Sequence, residues 1–104
     1  MNRDDILNMS AGREMDALIA EKVMGHYLGN TRDIVKILPH YSTDIVAAWG
    51  VTEKFRCMRL TRVGMFWFCD LSVDGKESSQ SRYEYSQSKT APLAICRAAL
   101  LATL

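Results

Sequence analysis

The sequence ends in Thr90-Ala-Pro-Leu-Ala-Ile-Cys-Arg-Ala-Ala-Leu-Leu-Ala-Thr-Leu104, and this stretch decides how the rest of the chain must be arranged. Its composition predicts a helix in which Arg97 is the only charged residue. A helix that is apolar on nearly every side has to be covered by other elements of the domain or by a partner chain. We therefore predict that the C-terminal helix lies in the core.

The length and the cysteines indicate a small protein with one core. The chain has 104 residues, enough for a single domain over 1–104 that buries about 60 to 70% of its unfolded surface. Its three cysteines are an odd number without a Cys-x-x-Cys pair, which favours a reducing cytoplasm. Because there is no apolar run of about 18 residues, we expect no membrane segment.

Two further helices are predicted before the middle of the chain. The first runs over 11–24, with Ser10 as its N-cap and Gly25 as its stop. The second follows Pro39, with Ser42 as the N-cap. Its predicted buried stripe consists of Ile45, Ala48, Trp49, Thr52 and Phe55.

From Cys57 onwards the apolar residues alternate with a period of two, which predicts strands. The segment 65–69 is apolar on both faces, and Asp74-Gly75 is a hairpin signal leading to a return strand over 81–85. A strict two-residue turn places Tyr83 opposite Phe66, whereas a longer loop shifts the register by one and exchanges the faces. The sequence leaves this choice open.

The number of aromatic residues in these strands constrains the layers. If all helices covered one face of the sheet, either Phe66 and Phe68 or Trp67 and Leu71 would remain in water as a large apolar patch. We therefore predict an α+β fold with a small antiparallel sheet of three to four strands and helices on both faces, an α/β/α sandwich. A homodimer in which a second protomer covers the open face is an additional possibility.

Three blocks of the sequence resemble one family. Residues 12–25 (GREMDALIAEKVMG), 41–49 (YSTDIVAAW) and 90–100 (TAPLAICRAAL) are similar, in this order, to the phage ABA sandwich domain of small phage and prophage proteins. The resemblance implies a layered fold and a phage or prophage origin. Together with the reducing environment that the cysteines favour, this leads us to expect a place in the cytoplasm of the bacterial host. It brings no catalytic residues that could be transferred to this chain.

Two places could hold a ligand. Tyr41, Ser42 and Asp44, together with Trp49, collect hydroxyls, a carboxylate, helix N–H groups and an aromatic ring, a combination that suits a small anionic or nucleotide-like molecule. The structural interpretation is favoured, with Ser42 as N-cap, Tyr41 packing on the helix and Trp49 in the core.

Arg97 is the second candidate, because an arginine inside an apolar helix must reach water, a carboxylate or a ligand phosphate. Extension to the surface, or pairing with an acid such as Asp44 or Asp70, is favoured over a ligand.

No pattern of catalytic or metal-binding residues is found in the sequence. His26 and His40 do not have ligand spacing, and Cys96 lies among apolar helix neighbours that are typical of an inert buried thiol. No paired carboxylates, nucleophile elbow or glycine-rich phosphate loop appears. We therefore expect no enzyme activity, no cofactor and no metal.

Two functions remain. The first is a non-enzymatic phage accessory protein that binds a host or phage protein or a small host molecule. The alternative is a nucleic-acid-binding domain, which the net charge of +1 does not favour in general but which a basic cluster could serve. This cluster consists of Lys54, Arg56, Arg59 and Arg62.

Overall fold

The C-terminal helix covers one face of a three-stranded antiparallel sheet, and further helices pack on this helix, in a computed structural model that describes residues 2–26, 37–73 and 82–104. The elements are α1 (Arg3–Leu7), α2 (Arg13–Leu18) with a π-helical continuation (Ile19–Val23), α3 (Ile45–Thr52), β1 (Met58–Val63), β2 (Phe66–Val73), β3 (Arg82–Ser88) and α4 (Ala91–Ala102). The predicted α+β class with a small antiparallel sheet is confirmed. In the described part, no helix is long and apolar enough to cross a bilayer.

The predicted C-terminal helix is α4, and it is the centre of the core. It packs on β2 and β3 on one side and contacts α3, α1 and the π-helical segment on others. Nearly all of its residues are buried, with Leu93, Arg97 and Ala102 half-buried. Pro92 is tolerated in the first turn because an N–H group there has no intrahelical partner. The absence of a polar face on this helix is therefore explained by neighbours on several sides.

The sheet has the order β1-β2-β3, so β1 and β3 are its edges. Gly64 and Met65 form the two-residue connection between β1 and β2, and Gly64 has a φ of +62°, a conformation that favours glycine. In the second hairpin, Tyr83 pairs with Ser72. A strict two-residue turn with Tyr83 opposite Phe66 is therefore wrong. The predicted turn at Asp74-Gly75 lies outside the described residues.

The first predicted helix is present but begins later than expected. Ser10 is not its N-cap; Gly12 occupies that position, and α2 begins at Arg13. The reason is tertiary, because the Gly12 N–H donates to the Ser42 hydroxyl at 2.9 Å and the turn is fixed from outside the helix. The helix ends just before Gly25, as predicted.

The sequence analysis missed the short helix α1. Asn2 caps it by accepting a hydrogen bond from the Asp5 N–H at 2.9 Å, while the Asp5 carboxylate accepts from the Asn2 N–H at 3.0 Å. This reciprocal pair is a capping box, for which Asn-x-x-Asp was the available sequence signal. α1 contacts α4, and its Ile6 is buried in the core.

The predictions for α3 need two corrections. Its N-cap is Asp44, not Ser42, because the Asp44 carboxylate accepts from the Val46 N–H at 3.0 Å. The predicted buried stripe is wrong at Ile45 and Trp49, both of which are exposed. The residues of α3 that face the core are Ala48, Val51 and Thr52. Since the helix is apolar on every side, its sequence pattern does not determine which side packs on α4.

The two faces of the sheet differ in burial. Cys69 and Leu71 of β2 are fully buried on the side of α4. The opposite side carries Phe66, Phe68 and Tyr85, in which the rings of Phe68 and Tyr85 stack with centroids 5.9 Å apart. Phe66 and Tyr85 are 42% and 45% exposed. The surplus of aromatic residues seen in the sequence thus appears as a partly exposed aromatic face.

Candidate functional site

Ser42, one of the predicted ligand residues, is a buried connector between two segments. Its hydroxyl lies 2.7 Å from an oxygen of the Asp16 carboxylate, and its N–H donates to the same oxygen at 2.8 Å. Asp16 also accepts from the Arg13 guanidinium at 3.0 Å. Ser42 and Asp16 are both completely buried, so this network holds the segment before α3 against α2 and leaves Ser42 inaccessible.

Tyr41 is also part of the interior. Only 4% of its surface is exposed, and it belongs to the core cluster. Burial raises the pKa of its phenol, and the nearby negative charge of Asp16 raises it further. A ring in this environment packs and cannot receive a ligand from solvent without a rearrangement. The hypothesis that Tyr41 and Ser42 bind a ligand therefore gains no support from the geometry.

Asp44 and Trp49 lie on the outside. Asp44 is exposed and caps α3, as described above. Trp49 is 49% exposed and lines an open groove together with neighbouring α3 residues. We call this groove the Trp49 surface; its lining residues are Ile45, Val46, Trp49, Gly50 and Glu53. The predicted cluster is thus divided, with Tyr41 and Ser42 inside and Asp44 and Trp49 outside.

Arg97 does not pair with either of the predicted acids. Asp44 caps α3, and Asp70 forms an ion pair with Arg59 at 3.3 Å. The Arg97 guanidinium instead donates twice to the Met9 carbonyl, at 2.8 and 3.3 Å, and once to the Gln87 carbonyl, at 3.3 Å. Burial lowers the pKa of this half-buried side chain. Arg97 therefore connects α4 to the α1–α2 junction and to β3 through neutral acceptors.

Two open grooves meet at Arg97, and we call them the Arg97 grooves. The first is lined by Arg3, Leu7, Tyr85, Ser86, Gln87 and Arg97. The second is lined by Phe66, Gln87, Ser88, Lys89, Leu93 and Arg97. None of the described lining residues carries a carboxylate. The sequence analysis identified Arg97 but missed Arg3, Ser86 and Lys89, which come from separate elements and share no sequence pattern.

The basic residues proposed for nucleic-acid binding do not share one surface. Arg59 pairs with Asp70, while the Arg62 guanidinium lies 5.9 Å from the centre of the Trp67 ring. Because side chains alternate along β1, Arg59 and Arg62 point to opposite faces of the sheet. Lys54 and Arg56 are exposed in the connection between α3 and β1. The alternation therefore places Arg59 and Arg62 on different faces, although they lie close together in the sequence.

The buried thiols have the environment of packing residues. Burial, and secondarily the charge of Asp70, raises the pKa of Cys69 from 9.0 to about 12. Burial also raises the pKa of Cys96, with smaller contributions from Asp16 and Cys69. Thiols with raised pKa values are poor nucleophiles near neutral pH. Among the described residues, no three His, Cys, Asp or Glu side chains come together as a metal site would require.

The comparisons with known proteins identify one relationship. A family model described as the Phage ABA sandwich domain matches residues 17–100. This range includes α3, all three strands and most of α4. No curated protein sequence matches the chain, and no solved structure does.

Proposed function

Since the chain belongs to the phage ABA sandwich domain family, we propose that it is a non-enzymatic phage or prophage accessory protein. It acts in the cytoplasm of the bacterial host by binding a host protein or a small host molecule. No catalytic residue follows from the family or from the geometry of the described residues. Binding is the activity that the exposed surfaces of this domain support best.

The observation that carries this proposal is the Trp49 surface. Val46 is 77% exposed and Trp49 is 49% exposed. Both belong to α3, which is apolar on every side and could also have packed with these two side chains in the core. A contiguous apolar surface of this kind is typical of a binding site, and tryptophan is enriched among residues that dominate binding energy. The exposure of the Trp49 side chain is therefore better explained by a binding partner that covers it than by packing within the chain.

Native mass spectrometry of the full chain, purified from phage-infected host cells, tests the proposal. We expect a complex of defined stoichiometry, which loses its additional mass in Trp49→Ala. The matched control is Met65→Ala, which removes a 77% exposed apolar side chain from the β1–β2 turn and should leave the complex intact. The same spectra report whether the chain forms a homodimer.

A bare protein in every sample would contradict the proposal. Loss of the partner in both variants, or in neither, would contradict the assignment of binding to the Trp49 surface. Circular dichroism of both variants must first match the wild type, so that a folding defect is not mistaken for lost binding.

A further inference from the structure

Arg97 has hydrogen-bonding capacity and charge that the described residues do not use. A guanidinium has five N–H donors, and the contacts to Met9 and Gln87 use three of them. The two acceptors are neutral carbonyls, which fix the orientation of the group but do not neutralise it. Within the part of the chain whose side chains are described, no carboxylate forms an ion pair with Arg97. This oriented cation is therefore suited to an anion that arrives from solvent.

The surroundings of Arg97 strengthen its positive potential. Arg3 lines the groove on one side and Lys89 lines the groove on the other. Lys89 and Arg97 thus bring two cationic side chains to one of the Arg97 grooves, without a carboxylate among the described lining residues. Such an arrangement of one sign of charge in a concave surface attracts a counter-ion. A ligand with two negative charges matches it better than one with a single charge.

An unpartnered hydroxyl lies at the same place. Ser86 is 1% exposed, and its oxygen has no hydrogen-bond partner among the described residues. Buried polar atoms are nearly always hydrogen-bonded, so the Ser86 hydroxyl is expected to bond to a group other than the described residues. Ser86 lines the first groove together with Arg97. A residue that lines the groove thus carries a hydroxyl whose hydrogen-bonding capacity the described residues leave unused.

We propose that the Arg97 grooves bind the phosphate group of a small phosphorylated molecule. Arg97 presents its two remaining N–H groups to the phosphate oxygens, with Lys89 supplying additional charge and Ser86 a hydroxyl donor. The rings of Tyr85 and Phe66, one in each groove, give the uncharged part of the ligand an apolar surface. This inference rests on the proposed function in the form in which the chain binds a small host molecule. It names the chemical class of that molecule.

Calorimetric titration of the full chain with inorganic phosphate, at constant ionic strength, tests the site. We expect saturable binding, tighter binding of phenyl phosphate than of phosphate, and weaker binding of acetate. Arg97→Lys keeps the charge but loses the planar fork, and it should weaken phosphate binding about tenfold or more. Arg56→Ala is the matched control, because it removes an exposed positive charge that lines neither groove and should leave binding unchanged.

Two further variants keep the test decisive if Arg97→Lys fails to fold. Lys89→Ala and Ser86→Ala should each weaken phosphate binding several-fold while the thermal transition of the ligand-free protein remains cooperative. Absence of saturable phosphate binding in the wild type would overturn the inference. Equal weakening in Arg56→Ala and Lys89→Ala would also overturn it, because only general electrostatic attraction would remain. A wild type that fails to bind phosphate but retains a host protein through Trp49 would leave the proposed function standing.

Discussion

The Ser42 hydroxyl lies 2.7 Å from the Asp16 carboxylate, across 26 residues of sequence, and both side chains are fully buried. Arg13 supplies the positive charge that accompanies this carboxylate. The contact joins the start of α2 to the turn before α3 and fixes both. It is a buried polar connection between α2 and the segment before α3.

Removal of the Asp16 carboxylate should therefore be strongly destabilising. Asp16→Ala leaves the Ser42 hydroxyl, its N–H and the Arg13 guanidinium without their acceptor, and we expect a loss of about 3–5 kcal/mol in the free energy of unfolding. Urea denaturation followed by circular dichroism measures this loss. Asp4→Ala, on the exposed side of α1, is the control and should change stability by less than about 0.5 kcal/mol. A small effect of Asp16→Ala would show that the network contributes little to stability.

The exposed position of Trp49 leads to a prediction of the opposite kind. Trp49→Ala should cost about 1 kcal/mol, well below the loss of about 3–5 kcal/mol expected of a tryptophan in a core. Leu100→Ala, at a fully buried position of α4, should cost about 2–5 kcal/mol in the same denaturation experiment. Equal losses in the two variants would place the indole in the core after all.

Arg97→Leu should destabilise the domain by about 1–3 kcal/mol, because the carbonyls of Met9 and Gln87 lose their donor. A side chain that only reached for solvent would leave stability unchanged or increased. Chemical denaturation distinguishes these outcomes. Arg56→Leu, which removes an exposed arginine from the connection between α3 and β1, is the control for the general effect of losing a positive charge.

The buried thiol of Cys69 should make the fold less stable at high pH. Its pKa is raised from 9.0 to about 12, so between these values the unfolded chain loses a proton that the folded chain keeps. The contribution of Cys69 to the free energy of unfolding is therefore fully present below about pH 9. It is lost as the pH rises towards 12, by at most about 1.4 kcal/mol per pH unit.

Denaturant midpoints measured between pH 8 and 11, in the presence of a reductant, test this dependence. The raised pKa values of Cys96 and Tyr41 contribute in the same direction. Cys69→Ala should therefore reduce the slope without removing it. An unchanged slope in this variant would mean that Cys69 does not titrate differently in the folded and unfolded chains.

The divided basic cluster predicts weak binding to nucleic acid. Because Arg59 and Arg62 point to opposite faces, they cannot together follow one phosphate backbone. We expect no measurable binding to random duplexes at 150 mM salt in fluorescence anisotropy. Tight binding that weakens steeply with salt, and that is lost in Arg59→Ala, would support the alternative that the domain binds nucleic acid.

The elements predicted correctly are those with an unmistakable local signal. The composition of α4 requires burial wherever the helix lies, and the alternation with a period of two from Cys57 onwards predicts the strand β1. The family resemblance added the layered class. For the candidate site, the sequence indicated Arg97 because the single charged side chain of an apolar helix must contact water or a polar group.

The remaining features depend on contacts between distant residues. Ser42 and Asp44 both have capping side chains, and the choice between them is made by Asp16, which competes for Ser42 from another helix. The side of α3 that is buried carries Ala48, Val51 and Thr52, and packing through this side leaves Trp49 exposed. The acceptors of Arg97 are main-chain carbonyls, which no side-chain pattern can indicate.

The position of α4 also has a consequence for biosynthesis. The sheet, α3 and α1 all pack on an element that follows them in the chain, and none of them can complete its packing before residues 91–102 have left the ribosome. Until then the apolar faces of the sheet and of α3 are exposed to the cell, where such surfaces promote aggregation. We therefore expect the nascent chain to engage a chaperone during translation, and the domain to acquire its structure in a single late step once α4 emerges.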